Sequence, residues 1–256
     1  MMTDPQRLLQ RLDEIAQSLA HSDHALALIG LGSVGTELDR LNAYSDLDFF
    51  AIVEPTYKSR YIQHPDWLYR VHPIAFAYEN TDDGYNLLFK DAIFCECAVF
   101  EPHELRTASF AHGRIVWQRA DFDTTLAEPQ PRPANQPPTR EWLIGEALTN
   151  LYAGLGRYRR GEKLSAQRFI QHYAVDRVVD LIARVETAAA AHRDVFANER
   201  RVEQRYPIET QHLPEFVQGY DRSPQSAAAI LNWLELHFDI NGAMAQAIRQ
   251  LIDSGL

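Results

Sequence analysis

Long apolar runs are missing from this chain of 256 residues. No stretch approaches the roughly 20 residues that a helix needs to cross a bilayer. The first residues place Thr3, Asp4 and Gln6 where a secretion signal needs an apolar core, so neither membrane insertion nor export by that route is expected. Cysteine is scarce too. Cys95 and Cys97 are the only two, and their i, i+2 spacing on a strand-like segment argues against a mutual disulfide and fits a reduced, cytoplasmic home. Positive charge is in deficit: 25 Lys and Arg face 35 Asp and Glu, for a formal charge of −10. Binding to phosphate backbones draws on clustered Lys and Arg, so a nucleic-acid partner is not expected, although a local basic pocket for one nucleotide remains compatible with the balance.

What is present is material for a core. Hydrophobic residues make up 46% of the chain, enough for one large domain or two small ones. Residues 4–20 read as a helix, with Thr3 or Asp4 as cap, Pro5 in the first turn, and Leu8, Leu12, Ile15 and Leu19 on one face. Strand-like runs follow at 25–31, 47–53, 74–78, 85–89, 93–100 and 113–117; the segment 58–69 reads as irregular or helical, with Trp67 and Leu68 packed inward. His21 and His24 have no further ligand-type neighbours and read as a solvated helix end rather than a metal pair. Residues 128–138 are proline-rich and extended, since proline there excludes helix. Beyond them the pattern becomes helical, with helices expected at 139–160, 164–192 (alanine-rich from 183 to 191) and 224–252, packed as an up-down bundle. The expected organisation is a mixed α+β domain over 1–127, a linker over 128–138 and a helical domain over 139–256.

The densest chemistry lies between residues 25 and 53. The first apolar run breaks at Gly32-Ser33, a turn that permits close backbone approach and offers a hydroxyl, as a phosphate requires. Twelve residues after Ser33, Ser45 leads into Asp46-Leu47-Asp48 at the head of the next apolar run. On a strand the two aspartates project from one face, while Leu47 and Phe49 take the other. Mg²⁺ takes oxygen ligands and is usually bound by one or two carboxylates together with substrate phosphates. Two such ions about 4 Å apart stabilise both the attacking and the leaving oxygen of an in-line displacement. An isolated Asp-x-Asp is more often a capped turn with a solvated strand-edge residue; the neighbouring Gly-Ser turn is what favours a site.

A third carboxylate, Glu96, is the only charged member of the run 93–100, whose faces both read as apolar. A buried carboxylate is costly unless a cation pairs with it or it takes up a proton, so this central strand is expected to bury Glu96 for a reason. If it lies beside the Asp46-Asp48 strand, a cluster of three carboxylates results. Cys95 and Cys97 face away from Glu96 and read as packing residues.

Gly32-Ser33 followed by Ser45-Asp46-Leu47-Asp48-Phe49 resembles the signature of the polymerase-beta-like nucleotidyltransferase superfamily. Within it the chain is most similar to the lincosamide and aminoglycoside antibiotic nucleotidyltransferases, and the likeness continues at low similarity through residues 91–100 and Arg159-Arg160-Gly161-Glu162. The resemblance implies a nucleotidyltransferase-type mixed sheet with flanking helices, followed by a helical bundle. It implies an enzyme that moves a nucleoside monophosphate from an NTP, ATP by first choice, to a hydroxyl of a small molecule such as an antibiotic, releasing pyrophosphate. Gly32 and Ser33 would hold the triphosphate, and Asp46 and Asp48 would bind two Mg²⁺ ions. Glu96 would be either a further metal ligand or the base that deprotonates the acceptor. Relatives place a basic residue and a glycine soon after Gly-Ser; here Val34-Gly35-Thr36-Glu37 stands in that place, and the acidic Glu37 argues against a turn-borne cation.

The basic group Arg157, Arg159, Arg160, Lys163 and Arg168 reads either as a solvated helix end or as the missing cation, with Arg159 and Arg160 reaching the triphosphate. Arg200, Arg201 and Arg205 are rivals for that role. Trp142, Asn150, Tyr152 and Tyr173 are candidates for an acceptor pocket or for core. A homodimer through the helical half stays open. Two other functions share the motif: a non-catalytic regulatory or antitoxin-like module, and an enzyme that AMPylates a protein.

Overall fold

In the computed structural model, residues 4–129, 137–189, 193–194 and 197–254 are described. The chain divides into two compact units, Met1–Pro133 and Ala134–Leu256. Most of the expected linker, residues 130–136, lies outside the described residues.

The first unit is mixed α+β. In chain order it runs α1 (Pro5–Ala20), β1 (Ala25–Gly30), β2 (Leu47–Val53), α2 (Lys58–Gln63), α3 (Asp66–Tyr69), β3 (Ile74–Thr81), β4 (Gly84–Phe89), β5 (Phe94–Phe100), α4 (Pro102–Leu105) and β6 (Arg114–Gln118). The six strands form one sheet in the order β3-β4-β5-β2-β1-β6. Only β2 and β5 pair in parallel; the other neighbours are antiparallel.

Sequence explains why each face is dressed as it is. Asp4 accepts from the Gln6 N–H and Pro5 opens α1. The helix then lays Leu8, Leu12, Ile15 and Leu19 against Leu28, Leu47, Phe49, Ala51, Val53, Phe89 and Trp67. Each fully buried side chain of this size contributes about 1.5–3 kcal/mol. Arg11 is buried among them at 0% exposure, its Nη2 2.7 Å from Asp91 Oδ2, its Nε 2.8 Å from Glu14 Oε2 and its guanidinium 4.6 Å from the Phe89 ring centre. That arginine ties α1 to the turn between β4 and β5.

A second cluster covers the opposite face over β1 and the end of β2, where Ala27, Ile29 and Ile52 meet Leu105, Phe110, Phe122 and Leu126. The same face is more open over β3, β4, β5 and the start of β2. Along β5, Cys95, Cys97 and Val99 are buried, whereas Glu96 is exposed. The expectation of a strand buried on both faces therefore fails, because the second cluster reaches β5 only at its last residue, Phe100. Close pairing of β4 with β5 depends on Gly84, where an added Cβ would sit 1.9 Å from the Cys97 carbonyl oxygen.

The second unit is helical. It comprises α5 (Arg140–Arg159), α6 (Lys163–Arg168), a π-helical turn (Phe169–Ala174), α7 (Val175–Ile182), α8 (Val202–Arg205), α9 (Leu213–Phe216), α10 (Ser223–His237) and α11 (Gly242–Asp253). Thr139 caps α5 by accepting from the Trp142 N–H. Leu148, Leu151 and Leu155 of α5 share a core with Ile170, Val178, Ile182, Ile230 and Leu234.

Two helix expectations are corrected here. The helix expected over 164–192 ends at Ile182 after passing through the π turn. Residues 183–189 leave the helix because tertiary bonds capture them: the Glu186 carboxylate accepts from the N–H groups of Ile208 and Glu209, and the Ala189 N–H donates to the Arg205 carbonyl. Residues 190–192 lie outside the described part. The helix expected over 224–252 is two helices, because Asn241 stops the pattern and caps α11 through the Met244 N–H.

Candidate functional site

The site is built by register. In the parallel pair β2/β5, Asp48 stands opposite Glu96, with Leu47 opposite Cys95 and Phe49 opposite Cys97. Neighbouring strands lie about 4.8 Å apart, and register partners share a face. Asp48 and Glu96 are thus side by side on the open face, while both cysteines point into the core. Burial pushes the Cys95 thiol well above its ordinary range and the Cys97 thiol up to about 12, so these remain protonated packing residues. Asp46 precedes β2 by one residue and is partly exposed.

The row continues across the sheet. Glu96 stands opposite Asn86 on β4, and Asn86 stands opposite Tyr78 on β3. Asn80 Nδ2 donates to Glu96 Oε1 at 3.2 Å and to Asn86 Oδ1 at 2.9 Å, and Asn86 Nδ2 donates to the Tyr78 hydroxyl at 3.2 Å. An adjacent row carries Phe76, Leu88 and Phe94, with Phe76 exposed.

At the other end of the row lies the turn after β1. The Leu31 N–H donates to the Asp48 carbonyl at 2.8 Å, and residues Gly32–Val34 form a single 3-10 turn. Gly32 sits at φ +53°, and a Cβ there would lie 3.3 Å from Asp48 Oδ2 and 3.7 Å from Arg40 Nη2. The missing side chain lets the turn pass close to the Asp48 carboxylate. Ser33 is 9% exposed. Arg114 braces the turn, donating from Nε and Nη2 to the Val34 carbonyl.

Arg40 is the residue that sequence reasoning missed. The turn was expected to lack a cation because Glu37 stands near it, yet the 3-10 turn Leu38–Arg40 returns the guanidinium to the Gly32 backbone. Glu37 holds it there, with Arg40 Nη1 2.7 Å from Glu37 Oε2. Arg40 Nε is buried without a hydrogen-bond partner among the described residues. The i, i+3 spacing of Glu37 and Arg40 was the available signal.

The other expected residues have these partners within their own units. Arg159 Nε and Nη2 donate to the Leu251 carbonyl, and Nη2 also donates to that of Ile252, so this guanidinium closes the end of α11. Arg160 is exposed and pairs with Glu162. Arg205 is buried against Asn198. Trp142, Tyr152 and Tyr173 are exposed on the helical unit, and Asn150 donates to the Glu146 carbonyl of its own helix. His24 pairs with Glu54 and stacks on Tyr57, as a surface residue.

The donor set suits a hard cation. Asp48 and Glu96 supply carboxylate oxygens on one face, beside the Gly32-Ser33 turn, and Mg²⁺ commonly binds through one or two carboxylates plus phosphate oxygens. Among the described residues no three His, Cys, Asp or Glu side chains converge into a ready-made metal cage. The register brings two of the expected three together; Asp46 lies just before the strand that would align it.

No protein-family model matches the chain, and no curated protein does either. Solved structures similar to it include an aminoglycoside 6-adenyltransferase from Bacillus subtilis, at 12% identity and TM-score 0.33 over 100% of this chain and 94% of that one. A nucleotidyltransferase-like protein from Exiguobacterium sibiricum matches at 12% identity and TM-score 0.32 over 95% of this chain and 74% of its own. A STING-associated CdnE c-di-GMP synthase from Capnocytophaga granulosa matches at 11% identity and TM-score 0.35 over 97% and 78%.

Proposed function

We propose that the chain is a Mg²⁺-dependent nucleotidyltransferase that moves a nucleoside monophosphate from an NTP, ATP by first choice, to a hydroxyl of a small molecule, an antibiotic being the first class to test. The observation that carries this reading is the pairing of Asp48 with Glu96 in the parallel register, beside the Gly32 turn and Arg40. Asp48 would hold the cation, with Asp46 and Glu96 as the further carboxylates available. When bound, Mg²⁺ would offset charge on the phosphate oxygens around the reacting phosphorus.

The chain's own residues supply the rest. The Gly32-Ser33 turn would seat the triphosphate against the backbone, and Arg40 would offer donors to its oxygens in the fork geometry that guanidinium brings to phosphate. The acceptor hydroxyl oxygen forms a bond to the α-phosphorus as the bond from that phosphorus to the bridging oxygen breaks. Pyrophosphate leaves, and the hydroxyl proton passes to a carboxylate base, for which Glu96 Oε2 is the available atom because Asn80 engages Oε1. The acidic balance of the chain supports a small acceptor over a nucleic acid.

The test is a panel of hydroxylated antibiotics and metabolites offered with labelled NTPs and Mg²⁺, read as label transfer with matching pyrophosphate release. Transfer by the native chain, with nearly complete loss in Asp48→Asn, supports the proposal. Undiminished transfer by Asp48→Asn removes the site.

A further inference from the structure

Glu96 is a flexible side chain on an exposed stretch of strand, and a ligand or base must be held in one geometry to work. Its immediate holder is Asn80. The Asn80 amide nitrogen serves two acceptors, Glu96 Oε1 at 3.2 Å and Asn86 Oδ1 at 2.9 Å. Turning the amide over would set its oxygen against both of these oxygens, so one orientation is enforced. Asn86 is fixed in turn, because it stands opposite Glu96 in the β4/β5 register and donates to the Tyr78 hydroxyl. The far atom of the Asn80 amide, Oδ1, is buried without a hydrogen-bond partner among the described residues. An unpaired buried acceptor costs free energy, and sheet packing alone does not require it.

We propose that Asn80, supported by Asn86, is a positioning residue for Glu96: it occupies Oε1 with a neutral donor and so leaves Oε2 as the working atom of that carboxylate. The inference rests on the nucleotidyltransferase reading and deepens it. A neutral amide suits the task where a lysine or arginine would not, because a cation would neutralise the carboxylate that the metal or the acceptor proton requires. Partners that orient a metal-site residue in this way are worth about 10- to 100-fold in affinity or activity when removed.

The test is a double-mutant cycle on the full chain, with Asn80→Ala and Glu96→Gln made singly and together. Asn80→Asp serves as a second, equally sized variant that cannot donate to Glu96. Two readouts are taken: Mn²⁺ affinity in the presence of a non-hydrolysable α,β-methylene ATP analogue, and the rate at which Mg²⁺-ATP is converted to AMP and pyrophosphate with water as acceptor. Thermal midpoints identify variants that have lost the fold. The expected result is that Glu96→Gln lowers at least one readout, that both Asn80 variants lower the same readout about 10- to 100-fold, and that Asn80→Ala adds nothing once Glu96 is Gln. Losses that multiply, or Asn80 variants with native values in the readout that Glu96→Gln lowers, would overturn the role of Asn80 and leave the nucleotidyltransferase reading standing. If Glu96→Gln changes neither readout, Glu96 is outside the site and the inference falls. If the native chain binds no Mn²⁺-nucleotide and releases no pyrophosphate, the function fails first.

Discussion

Gly32 and Glu96 carry different amounts of their structural role in the local sequence. Gly-Ser at the end of an apolar run signals a tight turn, and the positive φ at Gly32 bears that out. Replacing Gly32 with Ala should destabilise the sheet unit by about 1–2 kcal/mol for the left-handed backbone, and the new Cβ would crowd Asp48 at 3.3 Å. A lower thermal midpoint together with lost turnover is the expected outcome; a variant that loses neither would mean the turn relaxes without touching the site. Glu96 was legible as a residue of interest but for the wrong reason. The apolar residues on both faces of the run 93–100 read as burial on both faces, and only the extent of the second core cluster reveals that the face of Glu96 stays open. Its two candidate roles separate by experiment. As a base, Glu96→Gln should lower kcat about 10²- to 10⁴-fold with nucleotide binding intact; as a ligand, the same change should weaken Mg²⁺ binding and be partly relieved by excess metal. Full activity in Glu96→Gln would exclude both. Arg40 was legible only as the i, i+3 partner of Glu37, because its approach to the Gly32 turn depends on how residues 35–39 fold back.

At the scale of elements, period and caps carried far. The helix α1 starts at its expected Asp4-Pro5 signal, and β2 spans Leu47–Val53 as its apolar run implies. Failures fell where tertiary bonds or a mid-pattern cap interrupt a periodic run, at Glu186 and at Asn241. The attachment of α1 also has a pH signature. Burial pushes the Asp91 and Glu14 carboxyls up, but hydrogen bonds from Arg11 to both, and from Arg7 to Glu14, outweigh it, so both lie below their ordinary values of 3.8 and 4.5. A depressed carboxyl adds stability that is complete above its unfolded value and disappears as pH falls through the folded one. The sheet unit should therefore hold its midpoint from neutrality down to about pH 5 and lose stability steadily below pH 4. In Arg11→Met that acid slope should flatten. An unchanged slope would show that the arginine does not govern these carboxyls.

For the whole molecule, the patterning changes from alternating to helical near the proline-rich stretch; the structure has a sheet unit, Met1–Pro133, and a helical unit, Ala134–Leu256. No described helix is long and apolar enough to cross a membrane. Strand order was not legible, since nothing in the local pattern says that β5, besides pairing with its sequence neighbour β4, pairs in parallel with β2. That long-range pairing is what places Glu96 beside Asp48, and it is the fact on which the account turns. Its most direct test is an electron paramagnetic resonance titration of Mn²⁺ into the full chain with the α,β-methylene ATP analogue, for the native protein and for Asp48→Asn. The expected result is saturable Mn²⁺ binding that requires the nucleotide and is lost or severely weakened in Asp48→Asn, with the fold retained. Equal nucleotide-dependent binding by both proteins, or none by the native chain, would contradict it.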